Sequence, residues 1–258
     1  LLVFFAFLMA LYREGLSGWL FGVIFIFAAV FLVSIAVNPL YVVIAILVIA
    51  AIFVFLNFYT IQGNVMYIIA IVLTVGLLSA LSYGSPYILT KLPKHQRERI
   101  EVLYKGEKAF RDTSGYNLLY SKTAIGSGGL VGKGYKQGSV TQGKFVPEQE
   151  TDYIFCTVGE EWGFIGSTVL ILCYAIFIGR IYYLAENQKS TFNRVFGYCF
   201  ASILLIHFAI NLGMVMGLFP TVGIPLPFFS YGGSSLLAFS IMTFIFFKLN
   251  YADKNSLV

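Results

Sequence analysis

Residues 19–37, WLFGVIFIFAAVFLVSIAV, hold no charged side chain. At 1.5 Å per residue such a run crosses a bilayer core about 30 Å thick. Runs like it recur, and the candidate spans are 1–11 (partial), 19–37, 40–58, 65–83, 162–178, 195–218 and 234–249. The chain is 59% hydrophobic and 11% charged, with mean hydropathy +0.83, where a soluble domain is about 25% charged. In hydrocarbon every backbone N–H and C=O needs an internal partner, which an α-helix supplies. The fold class is therefore an all-α polytopic integral membrane protein: a helical bundle with one large extracytoplasmic loop.

The run 1–11 stops before Arg13 and would cover only about 17 Å. The expectation is that the sequence starts inside a helix and that more chain precedes it. It lacks the basic region and cleavage motif of a signal peptide. Asn38-Pro39 in VNPL marks a turn between spans, since the residue before proline avoids the helical region. Cys156, Cys173 and Cys199 lie in or beside apolar runs without metal spacing, which suits small core residues. His95 and His207 are isolated, which argues against a histidine metal site.

Charge concentrates in one place. Residues 84–161 carry 11 of the 17 Lys and Arg and 9 of the 12 Asp and Glu. The chain thus divides into membrane helices over 1–83, a large loop over 84–151, and further membrane helices over 152–258 with a Pro/Gly-rich loop at 218–233. Long loops without structure of their own are uncommon and usually functional. The short loop 179–194 carries Arg180, Lys189 and Arg194 against Glu186, and the tail carries Lys248 and Lys254 against Asp253. Loop 218–233 carries no charge. Positive-inside logic places the first two in the cytoplasm and 84–151 outside. That loop is the most basic part of the chain, so an anionic substrate is expected there; no pattern points to nucleic acid.

Three motifs stand out. AIGSGGLVGKG, residues 124–134, is rich in glycine, which lets backbone N–H groups approach an anion. It is neither a Walker A loop nor GxGxxG: Ser127, Gly134 and Val131 occupy the deciding positions. Alone it reads as a flexible turn; with Lys122, Lys133 and Lys136 nearby it also suits a pyrophosphate. LFPTVGIPLPFFSYGGSS, residues 218–235, is too apolar for a solvated loop and too broken for a helix, so it is either a tight hairpin or a cavity lining. FVPEQETDYIFCTVGEEWGF, residues 145–164, crowds Glu148, Glu150, Asp152, Glu160 and Glu161 ahead of an apolar run. Thr151 can cap a helix whose first turn holds Asp152. Glu160 and Glu161 would then lie about 12 Å further along, at a depth where acids face a bundle interior or a wet cavity. A continuous helix over 152–184 would outrun the bilayer, so it must protrude, tilt or bend near Gly159, Gly163 or Gly166.

In order, YNLLYSKTAIGSGGLVGKGYKQG, FVPEQETDYIFCTVGEEWGFIGS and GLFPTVGIPLPFFSYGGSS resemble the signature segments of the SEDS family, the bacterial shape, elongation, division and sporulation proteins. VFFAFLMALYREGLSG near the start adds to the likeness, and SKTAIGSGG followed by GKGYKQG is more similar to the elongation (RodA-like) branch than to the division branch. The resemblance implies a multi-pass protein of the bacterial cytoplasmic membrane. It implies a peptidoglycan glycosyltransferase that polymerises lipid II into glycan strands at the outer face. The implied partners are a class B penicillin-binding protein and the cell-elongation machinery. The family's essential acid maps onto Asp152 in TDYIF. Between REGLSG and QRERIEVL three spans stand where the family has one, so two are extra, and an N-terminal half is missing.

In that reading Asp152 is the general base for a sugar hydroxyl attacking a pyrophosphate-linked anomeric carbon. The candidate substrate contacts are Arg99, Lys122, Ser127, Lys133, Lys136, Glu148, Glu150 and Ser230. Cations and backbone donors would take the leaving pyrophosphate. Glu148 and Glu150 would assist, bind a divalent cation, or simply be solvated, and no other cofactor is called for. The competing readings are a flippase for lipid-linked precursors and a non-catalytic cell-wall scaffold.

Overall fold

The computed structural model describes residues 15, 19–56, 65–113 and 115–255. The partial span 1–11 and Arg13 lie outside the described residues. Every described element is helical: α1 (Trp19–Ala36), α2 (Pro39–Leu56), α3 (Val65–Lys91), α4 (Lys94–Lys105), a 3₁₀ turn (Glu107–Phe110), α5 (Tyr116–Ser127), the single turn α6 (Ser139–Gln142), α7 (Ile154–Glu186), α8 (Thr191–Met216) and α9 (Gly233–Asn255). Among the described residues five helices are long and apolar enough to cross a membrane: α2, α3, α7, α8 and α9. The chain is an all-α, multi-pass membrane protein. It divides into two compact units, 17–97 and 98–258 together with 1–16.

The 17–97 unit packs α1, α2 and α3. Asn38 Oδ1 accepts the Leu40 N–H at 3.1 Å, so the Asn-Pro pair starts α2, with proline at the first helical position where no donor is needed. Val42, Ile46 and Leu78 pack with Phe27, Val30 and Val75. Ser34 Oγ and Ser82 Oγ meet at 2.9 Å. The sequence places the end of the third described span at Tyr83, but α3 continues to Lys91 through Pro86. Proline cannot donate to the carbonyl four residues back. That carbonyl, on Ser82, takes a hydrogen bond from Ser85 Oγ at 3.0 Å instead, which lets the helix run on.

The 98–258 unit is built around α7 and α8. Tyr174, Ile178, Ile181 and Ala185 of α7 share a core with Phe200, Ala201 and Leu204 of α8 and Phe239 and Phe246 of α9. At the α7–α8 crossing a Cβ on Gly197 would come within 2.6 Å of Ala185 Cβ; small residues let membrane helices approach closely. Asp253 accepts the Lys189 N–H at 2.9 Å and the Ser190 N–H at 3.2 Å, tying the α7–α8 turn to α9.

Segment 218–232 is non-helical, and side chains of neighbouring elements satisfy its carbonyls. Tyr174 Oη donates to Pro227 O, Asn211 Nδ2 to Ile224 O at 2.7 Å, and Arg99 Nη1 to Thr221 O at 3.0 Å. This is the condition on which irregular backbone survives at membrane depth.

The 33-residue α7 is broken. Gly163 has φ 62° and ψ −159°, far from helical, so of the three glycines able to bend this segment it is Gly163 that does so. The Gly-rich segment repairs the break. Lys133 N–H and Gly134 N–H donate to the Glu160 and Glu161 carbonyls, both at 3.0 Å, and Phe164 N–H and Ile165 N–H donate to Gly129 O and Leu130 O at 2.9 and 3.1 Å. A Cβ on Gly163 would overlap Gly132 N, and one on Gly132 would overlap Glu161 O. The splice needs glycine on both sides.

Candidate active site

Asp152 stands in the turn that leads into α7. Its N–H and that of Tyr153 both donate to Glu148 O at 3.1 Å. The sequence assigned Thr151 as a helix cap with Asp152 in the first turn; this is corrected. The helix begins at Ile154, its first position carries no side-chain cap, and Thr151 Oγ1 lies 3.2 Å from Glu148 Oε2. Of the amides such a cap would serve, that of Tyr153 is already taken by the Glu148 carbonyl.

This turn forms one wall of a polar cavity of about 360 Å³ lined by Arg99, Thr113, Asn117, Glu148, Asp152, Tyr153, Thr221 and Gly223. Four parts of the sequence contribute: α4, the start of α5, the turn before α7, and the Pro/Gly-rich segment. Fully buried Asn211 fixes two of them together, donating from Nδ2 to Asp152 O at 2.8 Å and to Ile224 O at 2.7 Å. Gly223 has φ 77°, and a Cβ there would stand 2.9 Å from Asp152 Oδ2. Glycine is what lets the carboxylate lie against this backbone.

Burial raises the Asp152 carboxyl above its ordinary value of 3.8; the Glu148 charge adds to the rise, while the Thr151 hydroxyl and Arg99 oppose it. A half-buried carboxylate of raised basicity, facing a guanidinium across a polar cavity, is equipped to accept a proton.

A second carboxylate from the same stretch has a different setting. The Glu160 side chain is fully buried and pairs with Lys133 Nζ at 2.7 Å. It also accepts the Val140 N–H at 3.0 Å and the Thr141 N–H at 2.8 Å, with Ser127 Oγ at 3.3 Å and Ser139 Oγ at 3.4 Å. Lys133 Nζ meets Ser139 Oγ at 2.8 Å as well. Lys133 and Ser127, singled out as phosphate contacts, are thus committed to Glu160.

The remaining candidates scatter. Lys122 Nζ pairs with Glu107 Oε2 at 3.3 Å and lies under Gly217, where a Cβ would meet its Cε at 2.8 Å. Lys136 is exposed and lies over the Tyr135 ring, 5.3 Å from its centroid. Glu150 lines a separate cavity of about 310 Å³ with Lys144, Thr151 and Tyr231, which Glu148 also borders. Ser230 Oγ accepts the Leu226 N–H at 2.7 Å, which holds the Pro/Gly-rich segment in shape. Of the nine candidates the Asp152 cavity gathers three: Asp152, Arg99 and Glu148. Sequence reasoning missed Asn211, Asn117, Thr113, Thr221 and Gly223. The one available signal was Asn211, a lone amide in an apolar span.

A family model described as "Cell cycle protein", covering FtsW, RodA and SpoVE, matches residues 1–255. The peptidoglycan glycosyltransferase MrdB of Escherichia coli K12 is 42% identical over 143 residues, covering 55% of this chain and 38% of that protein. The peptidoglycan glycosyltransferase RodA of Treponema pallidum is 32% identical over 171 residues, covering 66% and 40%. The chain thus spans about two fifths of the length of these relatives. Among solved structures, a chain of a peptidoglycan synthase complex that coordinates polymerization and crosslinking is similar with TM-score 0.54 and 27% identity, covering 69% of this chain and 48% of that one.

Proposed function

The chain belongs to the FtsW, RodA and SpoVE family of cell cycle proteins, and from that premise we propose that it acts as a SEDS peptidoglycan glycosyltransferase, polymerising lipid II in cell elongation and shape maintenance. The observation that carries this reading is the Asp152 cavity. Asp152 takes the proton of an acceptor sugar hydroxyl as that oxygen attacks the anomeric carbon. The bond from that carbon to the pyrophosphate breaks, and the lipid diphosphate leaves. General-base assistance of this kind contributes about 10²–10⁴-fold. Arg99 is the cation nearest to hand for the leaving group, since Lys122 and Lys133 are engaged with Glu107 and Glu160. Burial keeps Asp152 basic, and the Glu148 charge adds to it.

The likeness to MrdB and RodA, both named peptidoglycan glycosyltransferases, supports the reaction. The similar chain in a polymerization and crosslinking complex supports a class B penicillin-binding protein as partner. The cavity then opens on the outer face of the bacterial cytoplasmic membrane, in line with the charges of the short loops.

The test is full-length protein with its partner, in detergent, supplied with lipid II. Glycan polymer on a gel from the native protein and none from Asp152→Asn supports the enzyme. Near-normal polymer from Asp152→Asn overturns it, and translocation of lipid II without polymer returns the flippase. Sidedness is tested by single cysteines in a background without the three native ones. Gln142→Cys should react with an impermeant thiol reagent in intact spheroplasts, and Asn187→Cys only after permeabilisation. The reverse pattern overturns the orientation.

A further inference from the structure

Glu160 is buried and multiply bonded, yet it lies outside the Asp152 cavity. Its hydrogen bonds lead back to that cavity by a short covalent and hydrogen-bonded path. Glu160 Oε2 accepts the N–H of Thr141 at 2.8 Å, and Thr141 is itself 2% exposed. The Thr141 carbonyl accepts Gln149 Nε2 at 3.0 Å. Gln149 adjoins Glu148, whose carbonyl takes the N–H groups of Asp152 and Tyr153. The path runs from buried Glu160, paired with the partly exposed Lys133, through one turn of backbone, to the two carboxylates that face the cavity. We infer that Glu160 is a positioning residue: with Lys133 it fixes the α6 turn, and through Thr141 and Gln149 that turn sets where Glu148 stands relative to Asp152.

The inference rests on the glycosyltransferase reading and deepens it. The chemistry requires such a brace. The turn at 147–153 is irregular and carries the base, and small displacements of a catalytic group cost heavily in rate. A carboxylate that accepts two backbone N–H groups and a lysine fixes three points of the chain at once, and charge-assisted bonds are the strong ones. The second link is informative in its own right. Gln149 Oε1 is buried and has no partner among the described residues. The side-chain hydrogen bond of Gln149, from Nε2, goes to the Thr141 carbonyl, which also takes the Lys144 N–H at 3.2 Å, so what the amide does here is place Thr141.

The experiment uses the full-length protein with its partner and measures kcat, KM and the pH profile of lipid II polymerisation, alongside thermal stability. The variants are Asp152→Asn, Glu160→Gln and Gln149→Leu. Gln149→Leu should change thermal stability little, because the Thr141 carbonyl keeps the Lys144 N–H, while lowering kcat about tenfold or more and leaving KM unchanged. It should also shift the acid limb of the pH profile downward, because Glu148 no longer stands fixed beside Asp152. The charged groups lining the cavity around Asp152 are Glu148 and Arg99, with the Tyr153 phenol beside them. Glu160→Gln should show the same kinetic signature with a stability loss added. If removing the buried charge stops that variant from folding, Gln149→Leu alone decides. Wild-type kcat and an unmoved acid limb in Gln149→Leu, with Asp152→Asn inactive, overturn the positioning role and leave the function standing. Polymer from Asp152→Asn removes both.

Discussion

The two units of the chain solve the membrane problem in opposite ways. Among the described residues of the 17–97 unit the buried cluster is three residues, Val42, Ile46 and Leu78, and the buried polar groups are three serines, Ser34, Ser82 and Ser85. Most of its apolar surface is exposed: Phe55 at 81% and Leu56 at 74%. In the 98–258 unit the core has eighteen members, and Glu160, Glu161, Asn211 and Thr141 are buried with it. Lipid is as apolar as leucine, so burying aliphatic surface between membrane helices gains little. A thin unit is what simple spans require. The thick unit is thick because it breaks its helices, at Gly163 and over 218–232, and every break needs polar partners that must be sheltered. The Asp152 cavity and the structural irregularity share one address.

The contrast predicts where substitutions will be felt. The largest effect belongs to Asp152→Asn, which should lower polymerisation about 10²–10⁴-fold while the thermal midpoint stays close to that of the native protein. Next comes Gly163→Ala. Its backbone angles suit glycine alone and a Cβ would overlap Gly132 N; strain of this kind costs about 1–3 kcal/mol before the overlap is added. A drop in thermal midpoint and new protease cleavage near residue 163 would register it, and native-like stability would show that the splice is not the fixed joint described above.

A smaller effect is expected of Glu148→Gln. The base must be ionised, so rate falls as pH drops through the Asp152 pKa, which burial and Glu148 hold above its ordinary value of 3.8. Removing the neighbouring charge lowers that pKa, and the acid limb of the rate profile should move to lower pH. An unmoved limb would mean that Glu148 does not act on the base. The smallest effect should come from the thin unit: Ser82→Ala breaks the Ser34 contact at about 0.6 kcal/mol, the usual worth of such bonds in membranes, with polymerisation unchanged. A loss of activity there would erase the distinction between the units.

Much of this architecture is written locally. Asn38-Pro39 marks the start of α2, the long apolar runs give the membrane helices, and the excess length of 152–184 over a bilayer demands a bend. The exposed or half-buried members of the cavity were also legible as types, an acid and an arginine in the charged segment. What escaped was pairing across distance. Lys133 meets Glu160 twenty-seven residues away, so a lysine in a glycine-rich segment that resembles a phosphate cradle is spent on an internal carboxylate. Ser230, in a segment with no charge, looks like a substrate contact until its hydroxyl is found on Leu226 N. Residues 84–151 read as one polar loop because α4 and α5 are short and carry charge or small residues instead of long apolar faces. Segments of that kind are held by tertiary contacts, such as Ser121 Oγ on Val215 O at 3.1 Å, more than by intrinsic propensity.

The joint at Gly163 bears on how the protein tolerates its surroundings. A straight α7 would be a stiff rod anchored in lipid, and membrane helices adjust their tilt when bilayer thickness changes. Each such adjustment would swing the end that carries Asp152. At Gly163 the two halves of α7 instead meet in a clasp: the glycine-rich segment binds the Glu160 and Glu161 carbonyls on one side of the break and the Phe164 and Ile165 amides on the other. The angle between the halves is thus set by this clasp and not by the axis of a single rod, and the turn that carries Asp152 takes its position from it.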